Sequence, residues 1–381
     1  MFGRRQPLLS VVVPVYNVED YLPACLDSVL ASRHRALDVV VVDDGATDSS
    51  GAIADGYAER DDRVRVVHTA NGGLGAARNV GMQHVRGEYV AFLDSDDVVP
   101  PAAYSRMVGS LTRSGSDFAT GSIVRWETDR GGELHEPGWM HGLHNPRWRG
   151  ITADQHPEIL GDVFAWNKVF RTSFWQSAGL EWPERVRYED QPTTTRAYLA
   201  GRFDVLPDIV YHWRIRGDGT SITQQRSALA DLEDRIATKR MALASVEAHG
   251  NVNTREVFLE RVLAGDMHRY FIEIPGCSDE WWTLLQSAVV EFWSSRSLVH
   301  SVLTPLHRLT GWLVEHDRRA DATAVMEYAG QLAASEAAPG LGGVPVPSTG
   351  EPPRLDLAKI SEALKEANID PAALTLRPDE A

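Results

Sequence analysis

Two acidic clusters directly follow apolar runs: Asp43-Asp44-Gly45 after residues 39–42, and Asp94-Ser95-Asp96-Asp97 after residues 89–93. A third, Glu189-Asp190, opens a helical pattern. Carboxylates spaced i, i+2 after a strand can present oxygens toward one point. Hard divalent cations such as Mg²⁺ use one or two such groups and take their remaining ligands from water and phosphate. A metal held that way can neutralise a diphosphate leaving group. One strand-end aspartate is as readily a turn or helix cap; three clusters on one sheet edge point to chemistry. Asn71-Gly72-Gly73-Leu74-Gly75-Ala76-Ala77-Arg78 is a glycine-rich turn opening a helix, a setting suited to anions. It is not GxGxxG and it follows the third apolar run, which disfavours a nicotinamide-linked Rossmann enzyme. Arg78, one turn in, could reach a phosphate or sugar, or form a structural ion pair.

Positioning these groups takes a sheet. Residues 8–15, 37–42, 64–67 and 89–93 read as strands. Helical patterns over 20–32, 48–59, 76–85 and 101–111 separate them. Strands buried on both faces and alternating with helices predict a parallel, doubly wound α/β sheet, whose ligands bind beyond the carboxyl ends of its strands. Residues 126–165 are rich in Gly, Trp, His and Pro and read as a long loop or flap. Further on, 166–170 reads as a strand, 188–200 as a helix and 208–214 as a strand. The expected domains are 1–225, a helical region 226–336, a Pro- and Gly-rich linker 337–354 and a terminal helix and tail 355–381.

The chain has 381 residues and a net charge of -15. Such a balance disfavours nucleic-acid binding, which wants clustered positive charge. Its two cysteines, Cys25 and Cys277, form no CxxC pair, so neither a disulfide framework nor a zinc ribbon is expected. No apolar stretch is long enough to span a bilayer and no secretory signal is apparent. The expectation is a cytoplasmic protein that could work at the inner face of the plasma membrane.

The joint pattern Val11-Val12-Val13-Pro14-Val15-Tyr16-Asn17, Val42-Asp43-Asp44-Gly45, Gly72-Gly73-Leu74-Gly75-Ala76-Ala77-Arg78-Asn79 and Phe92-Leu93-Asp94-Ser95-Asp96-Asp97 resembles glycosyltransferase family 2. A weaker set, Trp166-Asn167-Lys168-Val169-Phe170-Arg171, Tyr188-Glu189-Asp190 and Tyr211-His212-Trp213-Arg214-Ile215-Arg216, is similar to bacterial members that build or decorate cell-wall polymers, wall teichoic acid enzymes among them. The resemblance implies a GT-A fold with a mostly parallel central sheet; the helical C-terminal region is read from its pattern alone. It also implies an inverting, metal-dependent transferase moving a sugar from a UDP-sugar to a glycan or polyol-phosphate acceptor, with Mn²⁺ or Mg²⁺.

It implies roles too. Pro14 and Tyr16 would line the base pocket. Asp44 would hold uracil or ribose, and Asn71 and Arg78 the nucleotide or donor sugar. Asp94-Ser95-Asp96 would be the DxD motif, with Asp96 the main metal ligand and Asp94 on ribose, sugar or metal. His212 would supply a third metal contact or a diphosphate contact. Arg214 and Arg216 would hold the diphosphate, Asp190 would be the general base and Glu189 its neighbour. Ala46 stands where the family often has Ser.

Lys168 is the only lysine in the first 238 residues. It is counted among the nucleotide-sugar contacts, against the reading of a surface lysine ending a strand. Among Trp139, Trp148, Trp166, Trp175, Trp182 and Trp213, most are expected in the core and one or two on an acceptor groove. Arg125, Arg147, Arg149, Arg185 and Arg187 could make that groove basic. His135, His141 and His144 are expected to be solvated. Trp281-Trp282, Phe292-Trp293 and Leu309, Trp312, Leu313 are expected to pack as core, with a homo-oligomer interface or peripheral membrane contact as the sharper alternatives. A nucleotide-sugar-binding module without turnover is the alternative function.

Overall fold

A computed structural model describes residues 6–127, 132–215, 227–294 and 296–336. The chain forms two compact units, Met1–Gln224 with Ala237–Thr254, and Gln225–Ile236 with Arg255–Ala381.

The first unit opens with strands and helices in alternation: β1 (Leu9–Val15), α1 (Leu22–Leu30), β2 (Leu37–Asp43), α2 (Ser50–Arg60), β3 (Val64–His68), α3 (Leu74–Gln83), β4 (Tyr89–Phe92) and α4 (Ala103–Ser114). β1, β2 and β4 are buried at every position, as strands covered on both faces must be. β5 (Phe118–Glu127), β6 (Glu133–His135), α5 (Gly138–His144), β7 (Trp148–Ile151), β8 (Lys168–Arg171), α6 (Thr172–Ser177), α7 (Asp190–Ala200) and β9 (Phe203–Ile215) follow. The sheet order is β3-β2-β1-β4-β8-β5-β9-β7, with β6 paired to β5. β8 runs antiparallel to both β4 and β5, and β6 and β7 also run against their neighbours. β1 to β5 and β9 all point one way, so the sheet is mixed but mostly parallel in direction.

The strand order reverses between β1 and β4, and Pro14 marks that place. Val12 accepts a hydrogen bond from the Leu93 N–H on the β4 side, so Pro14, two residues on, faces the same side. The β1–β4 ladder stops at Val12. Lacking an N–H, Pro14 could not continue it. The two strands therefore part at their carboxyl ends, which is the switch-point crevice where open α/β sheets bind ligands.

Two expectations need correction. Residues 118–127 carried no strand expectation, yet they form β5, buried over its first seven residues. The stretch 126–165 is not a plain loop: it holds β6, α5, β7 and two 3-10 turns, Ala153–Gln155 and Pro157–Gly161. Asp204 ties part of it down, accepting from the Gly150 N–H at 2.9 Å and from the hydroxyls of Ser110, Ser114 and Ser116.

The second unit is helical over its described residues. Asp279–Phe292 is capped by Ser278, whose hydroxyl accepts from the Trp281 N–H at 3.1 Å, and Pro305–Glu315 starts with proline in its first turn behind the Thr304 cap. Trp281, Trp282, Phe292, Trp293, Leu309, Trp312 and Leu313 are all buried, matching the core expectation for them. No helix among the described residues is long and apolar enough to cross a membrane. The predicted linker and terminal helix lie outside the described residues.

Candidate active site

The three acidic clusters are joined in one chain of contacts. Asp43 ends β2 and Asp44 follows it, and the turn beyond them needs Gly45, at φ +72°. A Cβ there would also lie 2.9 Å from the Asn71 nitrogen. Asp44 accepts from the Gly72 N–H at 2.8 Å and from the Gly73 N–H at 2.9 Å. The glycine-rich turn thus receives its anion from the protein itself. The Asp44 side chain is buried, and each of its oxygens accepts one N–H of the loop that opens α3.

One turn into α3, Arg78 is fully buried. Its Nη2 donates to Asp94 at 2.8 Å, and its Nη1 to Glu189 at 2.6 Å and Asp190 at 2.5 Å. Arg78 therefore fastens the end of β4 to the start of α7. Its guanidinium faces three carboxylates. Three acids around one cation leave a surplus of negative charge. Burial, then the neighbouring Asp190, raises Glu189 above the ordinary carboxylate range. Burial also raises Asp94 to about 6, against the pull of Arg78.

Asp190 is partly exposed, and its second oxygen accepts from the Ala165 N–H at 3.0 Å. The loop before it is pinned to α3 by Asn79, which pairs with the Trp182 backbone in both directions at 2.9 Å. Tyr188, just before Glu189, sits at φ +64°, a strained conformation of the kind found at functional sites.

Around the DxD segment, Asp94 and Asp96 are partly exposed and Ser95 is buried. Asp97 is buried. It accepts from the Tyr211 hydroxyl at 2.8 Å and the Arg214 N–H at 2.6 Å. The Tyr211 oxygen in turn accepts from the Asp94 N–H at 3.2 Å, so β9 braces the segment from behind. Arg214 donates from Nε to the Asp96 carbonyl at 2.7 Å and lies over the rings of Tyr21 and Trp126. Its Nη2 has no hydrogen-bond partner among the described residues. A buried, unpartnered cationic N–H beside the DxD segment fits a diphosphate oxygen.

His212 reaches the same end of the sheet through a backbone bridge to Val98. No group of three His, Cys, Asp or Glu among the described residues is arranged to hold a metal. This corrects the trio Asp94, Asp96 and His212 as a ready-made cage. What remains is the two-carboxylate arrangement that a hard cation completes with phosphate and water, and it fits the oxygen donors present. Tyr16 is exposed just past β1 and Asn71 is exposed on the glycine-rich turn, both open to a ligand, whereas Pro14 is buried within β1. Arg216 lies outside the described residues.

Lys168 is neither a surface lysine nor a phosphate ligand. It is buried, with its ammonium 3.0 Å from Asp162 Oδ2 and donating to the carbonyls of Asp162 and Phe164 and to Asn167 Oδ1. His144 is fully buried beside the same Asp162, at 3.4 Å, and so is not solvated. Sequence reasoning missed Asp162, and an isolated aspartate in a turn-rich stretch offers no signal. It also missed Tyr211 as a brace. Of the tryptophans, Trp166, Trp175 and Trp182 are core, while Trp139 and Trp148 are exposed. The proposed basic groove is partly spent, since Arg147 is paired with Asp208.

A mostly parallel sheet with carboxylates gathered beyond its switch point is the arrangement expected of a GT-A fold. Residues 10–176 match the model of glycosyl transferase family 2. Among curated proteins, the chain is 33% identical over 213 residues to the uncharacterized glycosyltransferase EpsJ of Bacillus subtilis, covering 55% of this chain and 61% of that one. It is 27% identical over 277 residues to the poly(ribitol-phosphate) beta-N-acetylglucosaminyltransferase TarS of Staphylococcus aureus, covering 69% and 44%. The chain thus spans less than two thirds of either relative. The crystal structure of S. aureus TarS 1-349 in complex with UDP-GlcNAc superposes with a TM-score of 0.68 at 22% identity, covering 85% of this chain and 92% of that one, a likeness of fold.

Proposed function

We propose that the protein is an inverting glycosyltransferase that moves a sugar from a UDP-sugar to a hydroxyl of a cell-surface polysaccharide or teichoic-acid-type acceptor, with a divalent cation. The observation that carries this reading is Arg78, which joins the DxD carboxylate Asp94 and the candidate base Asp190 through a single guanidinium. Donor end and acceptor end are thereby fixed to each other. The relatives named above support the class: one is a beta-N-acetylglucosaminyltransferase and its structure holds UDP-GlcNAc.

Asp190 takes the proton of the acceptor hydroxyl as that oxygen attacks the anomeric carbon. Its two oxygens are oriented by Arg78 and by the Ala165 N–H, each with a lone pair to spare. Attack from the side opposite the leaving diphosphate gives inversion, by the logic of an inverting glycosidase with an acceptor in place of water. Asp96, with Asp94 beside it, would hold Mn²⁺ or Mg²⁺, which offsets the charge growing on the diphosphate. Arg214 offers the remaining positive charge from the β9 side.

A panel of UDP-sugars with Mn²⁺ or Mg²⁺, scored for UDP release, tests the reading. One sugar is expected to be turned over, and chelator or Asp96→Ala to stop it. Asp190→Asn is expected to lower turnover by about 10²- to 10⁴-fold and to spare UDP binding. Equal loss of binding and turnover would overturn the base assignment. UDP binding with no transfer from any donor would favour a binding module.

A further inference from the structure

We propose that the buried Lys168 ammonium and the Thr194 hydroxyl form a positioning device for Asp190, gripping the 162–165 segment by its carbonyls so that the Ala165 N–H meets the carboxylate. The inference rests on Asp190 being the base. Lys168 captures two carbonyls of this segment and the Thr194 hydroxyl lies within reach of the one between them. Lys168 Nζ donates to Asp162 O at 2.9 Å and to Phe164 O at 2.7 Å, and Thr194 Oγ1 lies 3.1 Å from Val163 O. The N–H of that same Phe164–Ala165 peptide points the opposite way, onto Asp190 Oδ2 at 3.0 Å. Thr194 stands one turn after Asp190 on α7, and its hydroxyl is also 2.9 Å from the Asp190 carbonyl. The same side chain therefore touches the base's own backbone and the segment that orients the base.

The grip is costly to build. An ammonium without access to water needs a counter-charge and a full set of acceptors. Asp162 supplies the charge, and its carboxylate is held in turn by Thr120 at 2.5 Å, Tyr198 at 2.9 Å and Asn167 at 2.9 Å. All of these residues are buried. An apolar side chain would fill the volume of Lys168 with less desolvation, but it could not hold two carbonyls in one orientation. Ala165 reaches Asp190 only because those carbonyls are turned away from it, toward Lys168 and Thr194.

The test compares Thr194→Val, Thr194→Ser and the charge-neutral pair Lys168→Met with Asp162→Asn, all in the full chain. Each variant is checked for folding by thermal melt, for UDP affinity by titration, and for turnover of the donor selected by the panel, beginning with UDP-GlcNAc and Mn²⁺. The pair avoids leaving Asp162 charged and alone. In folded variants, kcat is expected to fall by on the order of 10²-fold for the pair and by about 10-fold for Thr194→Val. UDP affinity and donor KM are expected to stay within about twofold, and Thr194→Ser to recover wild-type kcat. A merely structural role would lower stability and donor binding together and leave kcat per folded molecule unchanged. Folded variants with wild-type kcat, beside an inactive Asp190→Asn, would overturn the positioning role alone. An active Asp190→Asn would remove the base assignment and this inference with it.

Discussion

Arg78 shows how one side chain can matter more than the motif it belongs to. The glycine-rich turn looks like an anion site, but Asp44 already fills it, and the turn's task is to start α3 at the right height. Arg78 then meets Asp94, Glu189 and Asp190 at 2.5 to 2.8 Å. Removing its charge leaves three carboxylates crowded with no counter-ion. Arg78→Met is therefore expected to cost about 3–5 kcal/mol in urea unfolding and to abolish turnover. Arg78→Lys keeps the charge but loses the planar fork that serves acids on two sides. It is expected to regain most of the stability and little of the activity. Full activity in the lysine variant would mean that charge alone suffices at this position.

At the scale of elements, the site depends on how closely α3 meets the segment before Glu189. A Cβ on Gly75 would lie 2.0 Å from the Pro183 carbonyl oxygen, a backbone atom that cannot swing aside. Gly75→Ala is expected to cost about 1–3 kcal/mol and to lower turnover by displacing Glu189 and Asp190. Gly56→Ala is the matched control: it lies within α2 with nothing within 4 Å of its would-be Cβ, and is expected to gain about 0.5–1 kcal/mol with activity unchanged. Thermal melts and turnover on the two variants decide it. β1 to β4 and the acids at their ends were legible because unbroken Val-rich runs carry their own signal. β5 was not, since Thr120, Gly121 and Ser122 interrupt its apolar residues. Thr120 is satisfied by Asp162, Ser122 by Glu136, and Gly121 makes room for Val210, whose Cγ1 would lie 2.5 Å from an added Cβ. Those partners are 14 to 89 residues away in sequence, so no local pattern could announce them. Lys168 was conspicuous by its rarity, but its role lay in Asp162 and in the carbonyls of a segment without periodicity.

Across the whole molecule, histidines respond to pH in two senses: His68 is raised, whereas burial lowers His34 and His212 in the first unit and His268 and His307 in the second. In the first unit His68 lies between Asp43 at 2.8 Å and Asp55 at 3.1 Å, and the Asp43 hydrogen bond chiefly raises its pKa above the ordinary value. The folded state there holds the proton more tightly than the unfolded chain. That stabilisation is complete below about pH 6.5 and is lost as pH rises through the raised value. His68 is half exposed, so the effect is small. In the second unit the rings of His268 and His307 lie 4.7 Å apart, and burial lowers both, His307 to about 4 with its neighbour's charge adding to the shift. Here the unfolded chain binds more protons between about pH 6.5 and 4, so stability rises with pH through that window and falls as the solution is acidified. The His268–His307 pair is therefore expected to make the second unit less stable in acid. Urea midpoints at pH 7 and pH 5 should drop on acidification in the wild type and drop less in His307→Gln, which cannot take up the proton. His68→Gln should leave that acid limb as it is and flatten only the slight loss above neutrality. Parallel curves for wild type and His307→Gln would mean that acid lability, if seen, arises elsewhere than at this pair.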